Sequence, residues 1–490
     1  MRSPRNNSRS LPSLAQARLR HARALLAVVL GAGAVPACNW MTFADDAAKA
    51  PVRSIASPDS FKSGDFGQLL VPLSNGLGKS AAFIATSIND SNILVVTVDA
   101  AGSVTSLPVP KTALDDTRDS PVTSIAEVPD SNPMRIIFGT PELTGTGFGR
   151  VYTYLLTPAL DGAANPIVLP GFLPEEPGMG RALAVGRLGG AENVPDYVVA
   201  ADDRMGIAVD VANGAPVAAN GTTTVGGAAG CDVVDDPAQE ARYKVRRPLL
   251  TARLWDDPPG TKVQQVILGA THAASPGKLS FFSVTGAATA PSLNCLTSVS
   301  APAPGMKAQF GRALAVGDFN NDMVKDLLVG APGQEAYVFI GPFPAGGVPT
   351  PILISNPGGG DIDFGFAVTA LNVDGIPGDE ALIADPRATV GGQEKAGRVL
   401  AFAWDAASRT MKLTKTYSDH APESNAGFGT TVNALNFCTD VVAGAPCAAA
   451  ASTRLLLIGA SNEVFLYFRE GDNIPLRLRD GKMIADARTP

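Results

Sequence analysis

The sequence predicts an all-β protein, a seven-bladed β-propeller built from four-stranded antiparallel blades. Its 51 Gly and 39 Pro are spread along all 490 residues, as many short strands joined by turns require. No heptad pattern or long amphipathic helix stands out. A unit of about four short strands recurs seven times, with starts roughly 55–70 residues apart, which is typical of propeller blades.

The clearest copy of this unit runs from the pair Phe310-Gly311 through an alternating strand, a polar turn rich in acids and an apolar strand ending in Gly330-Ala331-Pro332. Two further strands follow, near 336–340 and 352–354. One such unit has too small a core to fold alone, so a closed ring of units is favoured over a row of separate sandwiches. The other copies begin at Phe66, Val122, Met179, Leu249, Phe364 and Phe428.

The residue types that recur in these units have packing roles. The large ring of the Phe-Gly pair is expected to lie between blades, with a flexible residue beside it. Proline ends the second strand, because it cannot continue a hydrogen-bonded ladder. These features predict a fold and leave the function open.

The N-terminus is typical of an export signal. Six Arg and no acidic residue precede an apolar run at 24–34, which is shorter than the roughly 20 residues of a membrane-spanning helix. The tetrad Val35-Pro36-Ala37-Cys38 resembles a bacterial lipobox, although Leu is usual at Val35 and Pro36 is unusual. In that interpretation Cys38 is lipidated; the alternative is an ordinary signal peptide. We predict a signal at 1–37, a tether at 38–60, the propeller at 61–480 and a tail at 481–490.

The charge of the chain restricts its partners. Loss of 1–37 with its six Arg lowers the formal charge of −7 by six, to −13. An acidic exported protein is a poor partner for nucleic acid and for anionic membrane faces, and a reasonable one for divalent cations. We therefore expect a protein or polysaccharide ligand, membrane contact through the N-terminal lipid, and no nucleic acid.

The cysteines predict disulfides and not a zinc site. If Cys38 carries lipid, an even number remains for an oxidising compartment. The chain has three His and no Cys-x-x-Cys pair, which disfavours zinc. We predict that Cys438 pairs with Cys447 across a short loop and, by elimination, that Cys231 pairs with Cys295.

The stretch from Phe310-Gly311 to Gly330-Ala331-Pro332 resembles the FG-GAP repeat family, which builds the seven-bladed propeller of integrin α-subunits. Phe364-Gly365 and Phe428-Gly429 match the opening of that repeat, and Gly459-Ala460-Ser461 matches its ending. The resemblance covers roughly 60–470. It implies extracellular ligand binding, calcium in some blades, and loops of one face as the contact surface.

One acid-rich loop is a candidate Ca²⁺ site. Three carboxylates within nine residues repel one another unless a cation lies between them, and Ca²⁺ takes six to eight hard oxygens. The family repeat places calcium at these loop positions, usually with Gly at the sixth, where this chain has Met323. The alternative is a solvated acidic hairpin. The candidate ligands are Asp318, Asn320, Asp322, Asp326 and the backbone carbonyl of Val324.

A second loop, one unit later, carries a similar set of oxygen ligands in altered spacing. Pro377 interrupts it, so a calcium site and a plain polar loop both stay open. The candidate ligands are Asn372, Asp374, Asp379 and Glu380.

The leading functional hypothesis is a ligand-binding or adhesion module with structural calcium, lipid-anchored in a bacterial envelope on the outer membrane or cell surface, and not an enzyme. No serine-centred elbow or His-Glu-x-x-His motif is present. Two alternatives stay open. One is a propeller enzyme, a polysaccharide lyase or hydrolase with a site built from loops; the other is a structural lipoprotein of envelope assembly.

Overall fold

The computed structural model describes residues between 52 and 485, apart from gaps of which the longest are 57–66, 110–121, 141–149, 168–179, 210–221, 232–247 and 442–451. The chain divides into two units, 1–50 and 51–490, and every described residue belongs to the second. All secondary-structure elements of the described residues are β-strands. Among these residues, no helix is long and apolar enough to cross a membrane.

The described strands form seven four-stranded antiparallel sheets and one two-stranded sheet. The N-terminal strand β1 (Val52–Ala56) belongs to the last of the seven. Sheet I is β2 (Leu69–Pro72), β3 (Ala81–Thr86), β4 (Ile93–Val98) and β5 (Val104–Pro108). Sheet II is β6 (Ser124–Val128), β7 (Arg135–Thr140), β8 (Arg150–Leu155) and β9 (Ala164–Ile167). Sheet III is β10 (Ala182–Gly186), β11 (Tyr197–Ala201), β12 (Met205–Val209) and β13 (Thr222–Thr223).

The remaining sheets follow the same plan. Sheet IV is β14 (Leu249–Ala252), β15 (Gln265–Ala270), β16 (Lys278–Thr285) and β17 (Ser292–Ser300). Sheet V is β18 (Ala313–Gly317), β19 (Asp326–Ala331), β20 (Glu335–Phe339) and β21 (Ile352–Ser355). Sheet VI is β22 (Val368–Leu371), β23 (Glu380–Asp385), β24 (Arg398–Asp405) and β25 (Thr410–Tyr417). Sheet VII is β26 (Thr431–Cys438), β27 (Ser452–Gly459), β28 (Glu463–Tyr467) and β1; β29 (Leu476–Arg479) and β30 (Lys482–Ala485) form the two-stranded sheet.

The arrangement is a β-propeller. The first strand of each sheet contacts the first strand of the next, from β2 through β6, β10, β14, β18 and β22 to β26, and β26 contacts β2 in turn. Strand β1 pairs antiparallel with β28, so the N-terminal strand completes a sheet whose other three strands come from the far end of the chain. This exchange joins the two ends of the ring by backbone hydrogen bonds.

Adjacent sheets approach closely at glycines. A Cβ on Gly330 of β19 would lie 2.1 Å from the carbonyl oxygen of Gly365, which opens the next unit. The opening glycines have φ between about 85° and 95°, a region that side chains disfavour. The same close approach joins Gly139 to Gly180, Gly269 to Gly311 and Gly459 to Gly67, at 2.0, 2.0 and 2.1 Å.

The phenylalanines of the opening pairs lie between sheets, as predicted. Phe310 is fully buried among side chains of sheets IV and V. Phe364 is buried between sheets V and VI, and Phe428 between sheets VI and VII. The repeated Phe-Gly pair therefore specifies how one sheet packs against its neighbour, and contributes less to contacts within a single sheet.

The predicted disulfide between Cys231 and Cys295 is confirmed, with the two Cα atoms 5.8 Å apart. It ties the segment before sheet IV to β17, the outermost strand of that sheet. Cys438 is also disulfide-bonded. Cys447 and Cys38 lie outside the described residues, so the Cys438–Cys447 pairing stays a prediction.

We predict that Gly330→Ala destabilises the propeller. The new Cβ would lie 2.1 Å from a backbone oxygen of the next sheet, so two sheets must separate, at a cost of about 1–3 kcal/mol in the free energy of unfolding. Gly347→Ala is the matched control, because the nearest atom to its Cβ is 3.5 Å away. Thermal or urea unfolding measures both, and equal stability of the two variants would contradict the proposed role of the contact.

Candidate functional site

The loop at 318–325, between β18 and β19, brings the first three candidate ligands together. Asp318 accepts backbone N–H groups of Asp322 at 3.0 Å and Met323 at 2.8 Å. Asp322 accepts the backbone N–H of Val324 at 2.8 Å, and the Asn320 amide donates to its other oxygen at 2.8 Å. The side-chain oxygens are thus turned toward the interior of one tight loop, as calcium ligands in a single loop are.

The fourth candidate side-chain ligand, Asp326, lies just beyond the loop. It is fully buried at the start of β19, and its two oxygens accept the backbone N–H groups of Phe319 and Gly341, each at 2.8 Å. The pKa of Asp326 is raised to about 6, chiefly by burial and also by the charges of Asp322 and Asp318, although its two hydrogen bonds act to lower it. The carboxylate therefore fixes the end of the loop through these two hydrogen bonds. Its negative charge is unfavourable in this buried position unless a cation lies nearby.

Met323 occupies the loop position at which the family repeat usually has glycine. Its φ is 65°, in the left-handed region that favours glycine, and Asn321 has a φ of 59°. The Met323 side chain is 92% exposed, so no packing compensates for the backbone conformation.

The second loop, at 372–379 between β22 and β23, has a related but altered geometry. Asn372 accepts the Gly375 N–H at 2.7 Å and donates to the Gly378 carbonyl at 2.8 Å. Asp374 accepts the Ile376 N–H at 2.8 Å. The loop thus holds itself closed with the oxygens that the sequence assigned to a metal.

Glu380 is the counterpart of Asp326 in sheet VI. It is buried at the start of β23 and accepts the backbone N–H of Val373 at 2.7 Å. Its pKa is raised to about 7, chiefly by burial and also by the charges of Asp374 and Asp379, although hydrogen bonds from the backbone of Val373 and Asp374 act to lower it. In both loops, a buried carboxylate at the start of the following strand therefore holds the loop through a hydrogen bond from the loop backbone.

Asp379 joins neighbouring loops. Its Oδ2 accepts the backbone N–H of Asp318 at 3.1 Å, and its own N–H donates to the Asp318 carbonyl at 2.8 Å. Its Oδ1 lies 3.8 Å from the guanidinium of Arg454 on β27. The sequence grouped Asp379 with a metal in its own loop, whereas its contacts lead to sheets V and VII. Sequence reasoning missed Arg454, which has no motif around it.

The centre of the ring is a cavity of about 540 Å³ lined by the first strands of all seven sheets. Its hydroxyl groups bond across sheet boundaries: Ser124 donates to the Gly180 carbonyl at 2.5 Å, and Thr431 to the Gly67 carbonyl at 2.6 Å. Arg312 is the charged residue of the described lining, with its guanidinium carbon 4.4 Å from the centroid of the Phe366 ring. Arg312 and Phe366 directly follow the Phe-Gly pairs. Their place in the lining of the central cavity could have been predicted from that position.

We predict that Met323→Gly raises the free energy of unfolding by up to about 1 kcal/mol, because glycine adopts the left-handed φ without strain. Met323→Ala is the control, since it removes the same exposed side chain and keeps the backbone cost. Thermal unfolding in chelator measures both. An equal gain in the two variants would show that loss of the apolar side chain, and not backbone relief, is responsible.

We predict that the metal-free chain loses stability as the pH rises from about 5 to 7.5. The pKa of Glu380 is about 7 in the folded chain against an ordinary 4.5, so between these values the folded state holds a proton that the unfolded state has released. Glu380→Gln should remove much of this slope, which is on the order of 3 kcal/mol at most. Glu423→Gln, at an exposed position, is the control. A slope unchanged by Glu380→Gln in chelator would contradict the prediction.

In the described part of the chain, no group of three or more His, Cys, Asp or Glu side chains is arranged so that it could hold a metal ion. The oxygens of Asp318, Asn320 and Asp322 nevertheless have the chemistry that Ca²⁺ prefers, and they share one loop. The chain matches no protein-family model, and no curated protein matches it.

Proposed function

We propose that this protein is an exported, lipid-anchored propeller of seven blades that binds a protein or polysaccharide ligand, with structural calcium, in the manner of the FG-GAP repeat family. The observation that carries the proposal is the division of chemistry between the ring and its loops. The described residues that line the central cavity are mostly apolar or carry hydroxyl groups, and these hydroxyl groups form hydrogen bonds between neighbouring sheets. Exposed polar and apolar side chains lie on the loops at 318–325 and 372–379, and loops are where binding residues of rigid scaffolds usually lie.

The blade count rests on the inner strands. Seven first strands contact one another in sequence and line one cavity, and each belongs to a four-stranded antiparallel sheet. Pairing of β1 with β28 gives the seventh sheet its fourth strand. We infer one blade per sheet, with the repeat at Phe310 representing the unit most similar to the family.

Calcium in sheet V is supported by the electrostatics of the loop. Asp318 and Asp322 both raise the pKa of buried Asp326, so a cation among them would relieve repulsion that the folded chain otherwise bears. Asp318, Asn320 and Asp322 would hold the ion with their side chains and Val324 with its carbonyl. Calcium would supply charge neutralisation and stiffness, a structural role. The set in sheet VI is the weaker candidate, because the Asp379 carboxylate faces the loops of other sheets.

We predict that calcium raises the melting temperature of the wild-type chain. A ligand that binds the folded state alone adds about 2.7 kcal/mol when its free concentration is a hundredfold above its dissociation constant. Asp322→Ala should lose most of this gain, whereas Glu423→Ala, which removes an exposed carboxylate elsewhere, should keep it. A wild-type melting temperature that is the same in calcium and in chelator would leave a solvated acidic turn as the explanation.

We predict that Cys38→Ser moves the protein from the membrane fraction of cells to the soluble fraction, because lipid attachment at Cys38 is the proposed anchor. Immunoblots of the fractions measure the change. Unchanged partitioning would favour the ordinary signal peptide. The soluble variant then serves as the probe for ligand: saturable binding to purified envelope polysaccharide or protein fractions is expected of the folded chain and not of the reduced, unfolded chain.

A further inference from the structure

The most exposed large apolar side chains of the described residues lie on two neighbouring loops. Among the described residues, Met323 and Ile376 are the most exposed large hydrophobics, at 92% and 65%. Their loops contact each other directly through Asp318 and Asp379. The corresponding loop of sheet VII carries Val441, which is 36% exposed. One face of the ring thus presents exposed apolar side chains, Met323 and Ile376, on two neighbouring loops.

The N-terminal strand enters the propeller at this same face. Strand β26 runs from Thr431, beside the channel, to Cys438 at the loop face. Successive antiparallel pairing reverses the direction at β27, at β28 and again at β1. Strand β1 therefore begins with Val52 toward the loop face and ends with Ala56 toward the opposite face.

We propose that this face, with Met323 and Ile376 at its centre, docks on the lipid bilayer in which the Cys38 lipid is inserted. The proposal rests on the proposed lipid anchor. The 13 residues from 39 to 51 span on the order of 45 Å at most, so the anchor keeps the loop face near the membrane at high effective concentration. Apolar side chains then bury in the boundary between headgroups and acyl chains.

The charges around the tips fit a bilayer with zwitterionic headgroups. Asp322 and Asp374 lie beside the apolar tips, while Lys325 and Arg454 are exposed near them. A face with both signs of charge can contact phosphates through its cations and choline or amine groups through its carboxylates. The position of the N-terminal strand favours this occupant over a protein partner, which would not need the tips to be near the lipid.

The test is vesicle binding of the soluble Cys38→Ser chain. Sedimentation with phosphatidylcholine vesicles, in chelator so that calcium cannot bridge to phosphate, is expected to show weak partitioning. Adding Met323→Ser and Ile376→Ser should lower the partition coefficient about tenfold or more, because two apolar side chains no longer bury. The matched control adds Leu353→Ser and Leu413→Ser, which are 51% and 43% exposed on the outer strands β21 and β25.

Each possible outcome either supports or contradicts the proposal. Loss of binding in the tip variant alone supports docking, provided that its melting temperature equals that of the parent. Equal binding of the tip and control variants, or no binding by the parent, overturns it. So does sedimentation velocity showing that the tips instead hold two copies of the chain together. Failure of Cys38→Ser to release the protein from cells is a separate result, since it refutes the anchor and not the affinity of the face for lipid.

Discussion

The rest of the structure depends on the contact in which a glycine of one sheet touches the carbonyl of the glycine that opens the next unit. Any Cβ at Gly139, Gly269, Gly330 or Gly459 would lie about 2 Å from that oxygen. The contact sets how closely two sheets approach, and the neighbouring phenylalanine fills the space that remains between them. Together with hydrogen bonds between sheets, such as that from Thr431 to the Gly67 carbonyl, this repeated short contact fixes how neighbouring sheets pack.

The sequence predicted this part well for a physical reason. A contact that tolerates no side chain leaves a glycine in the second strand of four of the seven units, whereas sheet VI has Ala384 there, and a left-handed turn leaves another glycine beside the phenylalanine. Both are visible as residue types. The Cys231–Cys295 pairing was also predictable, because it followed from elimination among few cysteines. The exchange of β1 into sheet VII was not predicted, since a short strand 400 residues from its partner leaves no periodic signal.

The candidate site was predicted less completely. The loop positions of Asp318, Asn320 and Asp322 follow from local spacing, because Asx-type hydrogen bonds join residues two to five apart. Asp326 and Glu380 are candidate ligands by their spacing, and in the structure they accept backbone N–H groups, some on distant segments such as Gly341. Those contacts depend on where β20 ends, which spacing within one loop does not determine. Arg454 and Asp379 meet for a similar reason, through the packing of sheet VI against sheet VII.

Hydrogen bonds between these loops explain how binding at one loop can affect its neighbours. Asp318 exchanges two hydrogen bonds with Asp379, and Asp379 in turn lies near Arg454, so the loops of sheets V and VI share one polar network with strand β27 of sheet VII. In sheet I, Ser74 contacts Glu127 of sheet II in a comparable way. A cation that fixes the Asp318 carboxylate would therefore restrain the backbone to which Asp379 is bonded, and with it the tip that carries Ile376. Calcium bound at the first loop would thus be coupled to the exposed apolar tips through backbone hydrogen bonds, and stiffening of the first loop would orient the second.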